Sequence, residues 1–286
     1  MQSNQRSDTS KLIAARVSRI FEQGSLAVLV TVVEAPAGMD NVGMKLLVEA
    51  SGEQIGTLGI SDVDERVALE EIAAKAFTFL RSREDTRVFR VKEFAPELTR
   101  WAEAKVLFER LQPEPRLVVC GAGHVGAALT KIASLLGYQT ILIDDRKEFL
   151  TREQFPDASV ELVRATNWRE AVRLAAGNGK GVSIAIVTRG HSEDEECLRA
   201  VIDLALDYVG LIGSRRRTNI VLQRLRESGA SQEALGAVHA PVGLHIGAVT
   251  PEEVALAIMA EIVAVRRGGK GGFLSQWRRS SMSDKL

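Results

Sequence analysis

Two cysteines in 286 residues are too few for a disulfide framework, and Cys120 and Cys197 cannot by themselves complete a zinc site. Charge of one sign is also missing: Lys plus Arg and Asp plus Glu both number 37, so the formal net charge is zero. A general binder of nucleic acid or of a membrane surface carries a basic excess, and this chain is expected to be neither. No apolar run is long enough to span a bilayer, and Met1 to Ser10 is polar where a signal peptide is apolar. A cytoplasmic location is the expectation. No repeat of solenoid length recurs.

What is present is ordinary globular material, 45% hydrophobic and 26% charged, in a chain long for one core. Two domains are expected, and Gln112-Pro-Glu-Pro115 is the linker, because two prolines stop regular structure there. Before it, Ser10 caps a helix with Ile13, Val17, Ile20 and Phe21 on one face. Leu26 to Val33 then reads as a buried strand, and Met44 to Glu49 with Gln54 to Leu58 as a hairpin around Ser51-Gly52. A helix starting at Ser61 or Asp62 carries Leu69, Ile72, Ala76 and Leu80, and Thr86 to Lys92 and Lys105 to Leu111 are further strands. Residues 1–112 are therefore expected to form a small N-terminal α+β domain.

Residues 113–268 alternate strand and helix. Leu117 to Cys120, Thr140 to Ile143, Val160 to Val163, Val182 to Val187 and Tyr208 to Ile212 are the strands, with helical segments in the gaps. The fold class is α/β, a Rossmann-like doubly wound parallel sheet. Thr250-Pro-Glu-Glu253 opens a last helix with a capping box, and residues 269–286 read as a flexible tail in which Phe273 and Trp277 are candidates for docking.

The first strand of that domain runs into Gly121-Ala-Gly-His-Val-Gly126. Gly121 permits a tight turn, Gly123 lets backbone amides approach a pyrophosphate, and Gly126 lets the helix pack close to the strand. Phosphates would sit at the helix N-terminus, where unpaired N–H groups and the dipole favour anions. Asp144, just past the next apolar strand, would accept hydrogen bonds from a ribose; Arg146 beside it leaves the choice between NAD and NADP open. On these residues alone the chain reads as an NAD(P)-dependent oxidoreductase or a nucleotide-binding redox sensor.

Ligands in open parallel sheets bind beyond the C-terminal strand ends, and other polar residues gather there. His124 lies within the glycine turn, either reaching ligand phosphates or merely tolerating exposure. Arg189, His191 and Asp194 follow the Val182 strand, where Ser192 and Glu195 would form a capping box, and suit anion binding or proton transfer. Gly213, Ser214, Arg215, Arg216 and Arg217 follow the Tyr208 strand and would clamp a phosphate or carboxylate, or form a solvated basic face. His239 and His245 lie in a loop read as irregular. Cys120 is expected to be a buried thiol, and Cys197, one turn into a helix near Arg189 and His191, either to pack or to be a reactive thiol of lowered pKa. No catalytic triad and no metal-ligand spacing stands out.

Together, Val119-Cys-Gly-Ala-Gly-His-Val-Gly126, Ile143-Asp-Asp-Arg146, Thr188-Arg-Gly-His191 with Asp194, Ile212-Gly-Ser-Arg-Arg216 and His239-Ala-Pro-Val-Gly-Leu-His-Ile-Gly-Ala248 before Thr250-Pro-Glu-Glu253 resemble the XdhC/CoxI family. The resemblance implies an accessory protein that binds the molybdenum cofactor, molybdopterin or its dinucleotide form. Such a protein helps the cofactor gain its sulfido ligand with a cysteine desulfurase and delivers it to an apo-molybdenum hydroxylase. Clients of the family include xanthine dehydrogenase, aldehyde oxidoreductases and carbon monoxide dehydrogenase. A cofactor nucleotidyltransferase is a further partner compatible with that role, as is a homodimer, and a non-enzymatic chaperone is the expectation. The N-terminal half resembles the family less well in its Gly-Ser-x-Pro-Arg type turn and in its glycine-rich segment with a Cys or Gly before Val-Glu. Glu34-Ala-Pro-Ala-Gly38 lacks the arginine, and Gly56-Thr-Leu-Gly-Ile-Ser-Asp-Val-Asp-Glu65 lacks the cysteine.

Overall fold

A computed structural model describes residues 2–59, 65–82 and 84–275. The chain divides into two compact units, Met1–Pro113 and Glu114–Leu286.

The first unit runs α1 (Gln2–Glu22), β1 (Ala27–Glu34), β2 (Lys45–Glu49), β3 (Gln54–Thr57), α2 (Glu65–Leu80), β4 (Thr86–Arg90) and β5 (Lys105–Leu111). Helix α1 starts well ahead of Ser10, since no glycine or proline interrupts the sequence before Gly24. The expected start of α2 at Ser61 or Asp62 lies outside the described residues. The strands form an antiparallel sheet in the order β3-β2-β1-β5-β4. Alternation sorts its side chains: Val28, Val30, Val32, Leu46 and Val48 pack with Ile72, Ala76 and Phe79 of α2, while Ala27 and Leu47 meet Ile13 and Ile20 of α1. Phe79, Phe89 and Phe108 meet edge to face, the tightest pair with centroids 5.2 Å apart. Strand β4 stops at Arg90, two residues short of the expected Lys92, where a single 3-10 turn begins.

The second unit runs β6 (Arg116–Cys120), α3 (His124–Leu135), β7 (Gln139–Asp144), β8 (Val160–Arg164), α4 (Trp168–Ala176), β9 (Val182–Ile186), α5 (His191–Val201), β10 (Tyr208–Leu211), α6 (Arg215–Glu227), α7 (Gln232–Gly236), β11 (Val238–His239) and α8 (Pro251–Arg267). Among the described residues the sheet has six strands in the order β11-β10-β9-β6-β7-β8, all parallel. Both faces are covered, which is why its strands read as continuous apolar runs. Val118 and Cys120 face the side of α4, α5 and α6; Leu117 and Val119 face that of α3 and α8.

Three expectations for this unit fail. Between β7 and β8 there is no α-helix, only a 3-10 turn at Lys147–Phe149, after which the buried Phe155 fills the face a crossover helix would cover. The loop after α7 contains a short strand, β11, pairing Val209 with Val238 and Gly210 with His239. Helix α5 begins at His191 behind Gly190, so Ser192 is no cap, and the Glu195 carboxylate turns instead to Arg199 and Arg224.

The box on α8 forms as expected: Thr250 accepts from the Glu253 amide at 3.3 Å, and Glu253 accepts from the Thr250 amide at 3.0 Å. Phe273 is exposed rather than docked, and Trp277 lies outside the described residues. No described helix is long and apolar enough to cross a membrane.

Candidate functional site

Strands β6 and β9 lie side by side, and their helices leave to opposite faces, α3 to one and α5 to the other. That divergence opens a crevice at the C-terminal strand ends, where open α/β sheets take ligands.

The glycine turn sits at this point. Gly121 has φ +112°, and a Cβ there would lie 2.7 Å from the Val187 carbonyl oxygen. A Cβ on Gly126 would run into the Gly121 carbonyl oxygen, so the close passage of α3 over the turn requires glycine there too. Gly123 differs: a Cβ on it would meet nothing within 4 Å. It occupies the N-cap of α3 and carries no side chain to accept from the first amides of the helix. His124, the first helical residue, is exposed.

Asp144 closes the turn from the end of β7. It is buried, and both carboxylate oxygens are engaged: Oδ2 accepts from the Ala122 amide at 2.7 Å and from Arg146 Nη2 at 3.0 Å, while Oδ1 accepts from the Arg146 amide and Nε, each at 2.9 Å. Burial alone would raise the pKa of this carboxyl, but the bonds from Arg146 and Ala122 outweigh it and hold the group below its ordinary range. The ribose acceptor expected from the sequence is thus already filled by protein donors. The Arg146 guanidinium also lies over the Phe149 ring, 3.8 Å from its centroid.

Arg189 reaches from the end of β9 to Asp145 at 2.8 Å, so the bridge spans the end of β6 between them. His191 is exposed at the start of α5. Asp194, one turn further, is fully buried; its Oδ2 accepts from Arg217 Nε at 3.0 Å and its Oδ1 from the Thr188 hydroxyl. Gly213, with φ +143°, and Ser214, which caps α6 by accepting from the Arg217 amide at 3.2 Å, open the neighbouring helix. Arg215 and Arg216 are exposed there, whereas Arg217 turns inward.

Glu261 is the residue that sequence reading passed over, and the carboxylate that Arg217 clamps is Asp194 of the chain itself. Glu261 on α8 accepts from the Tyr208 hydroxyl at 2.5 Å and the Gly243 amide at 2.9 Å, and lies 3.4 Å from His239. His239, stacked on Tyr208 with centroids 4.6 Å apart, thereby anchors its loop, while His245 stays exposed. The signal was available: Glu261 falls three residues after Ile258 and one before Ile262, inside the apolar face of α8. Cys120 and Cys197 are both fully buried, and burial followed by the neighbouring Cys120 raises the Cys197 pKa well above its ordinary value. No cluster of three or more His, Cys, Asp or Glu suited to a metal occurs among the described residues.

Comparison with known proteins follows this geometry. Residues 117–262 match the XdhC Rossmann domain model. The chain is 31% identical over 266 residues to the uncharacterized protein YqeB of Escherichia coli (strain K12), covering 92% of this chain and 48% of that protein. It is 27% identical over 158 residues to the molybdenum cofactor insertion chaperone PaoD of the same organism, covering 54% of this chain and 41% of that one. The chain spans about half the length of the curated relatives it matches. A crystal structure of a xanthine dehydrogenase from Bacillus halodurans superposes with a TM-score of 0.62 at 21% identity, over 88% of this chain and 66% of that one, a likeness of fold.

Proposed function

The chain belongs to the XdhC Rossmann domain family, and from that premise we propose that it binds the molybdenum cofactor as cargo and assists its insertion into a molybdenum hydroxylase. The open helix start at Gly123 carries the reading. Gly121 and Gly126 are required by the backbone, whereas Gly123 keeps clear the approach to uncapped amides. Such amides hold a phosphate by reversible hydrogen bonds, which suits a carrier that must also release. Arg146 and Arg189, each resting on a carboxylate, stand close by, with His191 and the Gly213 to Arg216 turn at the neighbouring strand ends. Similarity to a protein named as a cofactor insertion chaperone supports the choice of cargo.

The same geometry weighs against NAD(P). A ribose binding through Asp144 must first displace Arg146, and hydrogen bonds to charged groups are worth about 1.5–3 kcal/mol each. Whether the cargo carries a nucleotide therefore turns on contacts other than Asp144. Sulfuration would take its sulfur directly from a cysteine desulfurase, because both thiols of this chain are buried.

The test is to purify the protein from a cofactor-producing host, denature and oxidise it, and assay the fluorescent pterin product. Wild-type protein should release pterin. Gly123→Val, whose methyls enter open space, should fold normally yet carry at least about tenfold less, a loss of about one charged hydrogen bond. No pterin from the wild type, together with no binding of added cofactor, would sink the reading.

A further inference from the structure

Resting on that reading, we propose that a cavity beside α3 receives the ring of the cargo and selects a planar ring with a 2-amino-4-oxopyrimidine edge. The cavity holds about 440 Å³, within the range of small-molecule sites. It begins at Gly123 and His124, where the phosphate is placed, and follows one flank of α3 to Lys131, seven residues on. Phe149 and Gln154 line it from the loop after β7, and Glu252 from the first turn of α8.

Each wall has a chemical meaning. Phe149 is already half of a stack, with the Arg146 guanidinium 3.8 Å from its centroid and that guanidinium pinned by the buried Asp144. A ring so held can stack a flat heteroaromatic without losing further side-chain freedom. Glu253 is engaged in the capping box with Thr250, which leaves Glu252 as the carboxylate lining the cavity. A carboxylate only accepts, so it matches two adjacent N–H donors, and the Gln154 amide can donate to a ring carbonyl. Adjacent N–H and amino donors beside a carbonyl form the edge shared by pterins and guanine. Adenine sets its amino group beside an acceptor nitrogen and carries no carbonyl.

Calorimetric titration of the full-length chain with four probes of equal phosphate content tests this: tripolyphosphate, ATP, GTP and dihydroneopterin triphosphate. GTP and the pterin triphosphate should bind at least about tenfold more tightly than ATP, as expected for a charge-assisted hydrogen bond. Glu252→Gln should erase most of that preference, whereas Phe149→Leu should weaken ATP, GTP and the pterin triphosphate alike, and tripolyphosphate should still bind both variants. Thermal melting confirms that the Phe149 variant folds, and the exposed Glu252 variant carries the test regardless. The pterin binding more tightly than GTP assigns the cargo to the pterin; the reverse order assigns a guanine nucleotide to the same edge. Equal affinities for ATP and GTP, or a preference that survives Glu252→Gln, overturn the ring subsite alone if tripolyphosphate still binds. If no probe binds, the phosphate anchor fails and the cargo reading with it.

Discussion

Three arginines open α6, and only the third turns inward, onto an aspartate that has no access to water. Removing one partner of a buried pair leaves the other charge uncompensated, so Arg217→Met should destabilise the fold by about 3–5 kcal/mol. Arg215→Met and Arg216→Met, on the exposed side, should stay within about 0.5 kcal/mol. The deficit of Arg217→Met should also depend on pH. Burial is the largest influence on Asp194 and pushes its pKa above the ordinary 3.8, with Thr188 and Arg217 pulling it back only in part. A raised folded pKa gives stability that is fully present below the unfolded value and is lost as pH rises through the folded one. Without Arg217 the folded value rises further, so urea denaturation should show a larger deficit in neutral than in acidic buffer. Equal stabilities for all three variants would return Arg217 to the surface. Helical phase made this residue legible in principle, since Val221 and Leu225 place the buried face of α6 at four and eight residues beyond it. The engagement of Asp144 was not legible, because which donors reach a strand-end carboxylate depends on a loop path that no residue spacing encodes.

At the scale of the element, α3 and the turn before it form a single device, and its glycines separate structure from approach. Alanine favours a helix interior over glycine by about 1 kcal/mol, so propensity alone makes Gly126→Ala stabilising. The new Cβ would meet the Gly121 backbone oxygen, which cannot rotate away, and overpacking of this kind costs about 1–3 kcal/mol. The clash should win, giving a lower urea midpoint than wild type, whereas Gly123→Ala, whose methyl meets open space, should cost only the roughly 0.5–1 kcal/mol by which alanine is the poorer N-cap. A stabilised Gly126→Ala would mean that α3 can lift off the turn. Strands such as β6 and β9 were legible because burial on both faces imposes unbroken apolar runs. The missing helix between β7 and β8 was not, for a 3-10 turn with Phe149 and Phe155 packs the same face using apolar residues at no helical period. Strand β11 escaped because its two residues are too few for any period, and the α5 start because Gly190 can take the N-cap without a side-chain signal.

For the whole molecule the question is which unit would hold the proposed cargo. The first unit closes its own core around α2 and the ring cluster of Phe79, Phe89 and Phe108, and the match to the XdhC Rossmann domain lies outside it. The second keeps all five motifs and places their strand-end residues along one edge of a parallel sheet. Cargo contacts should therefore be confined to the second unit, and hydrogen exchange can locate them. A ligand at 100 times its Kd stabilises the state that binds it by about 2.7 kcal/mol. Amides that exchange only through opening of that state should slow by about a hundredfold. With added cofactor, such protection is expected across β6, α3, β7 and the starts of α5 and α6, while the loops on either side of β2 and β3 exchange as before. Protection at Glu34 to Gly38 or around Gly56 would instead show that the first unit also grips the pterin.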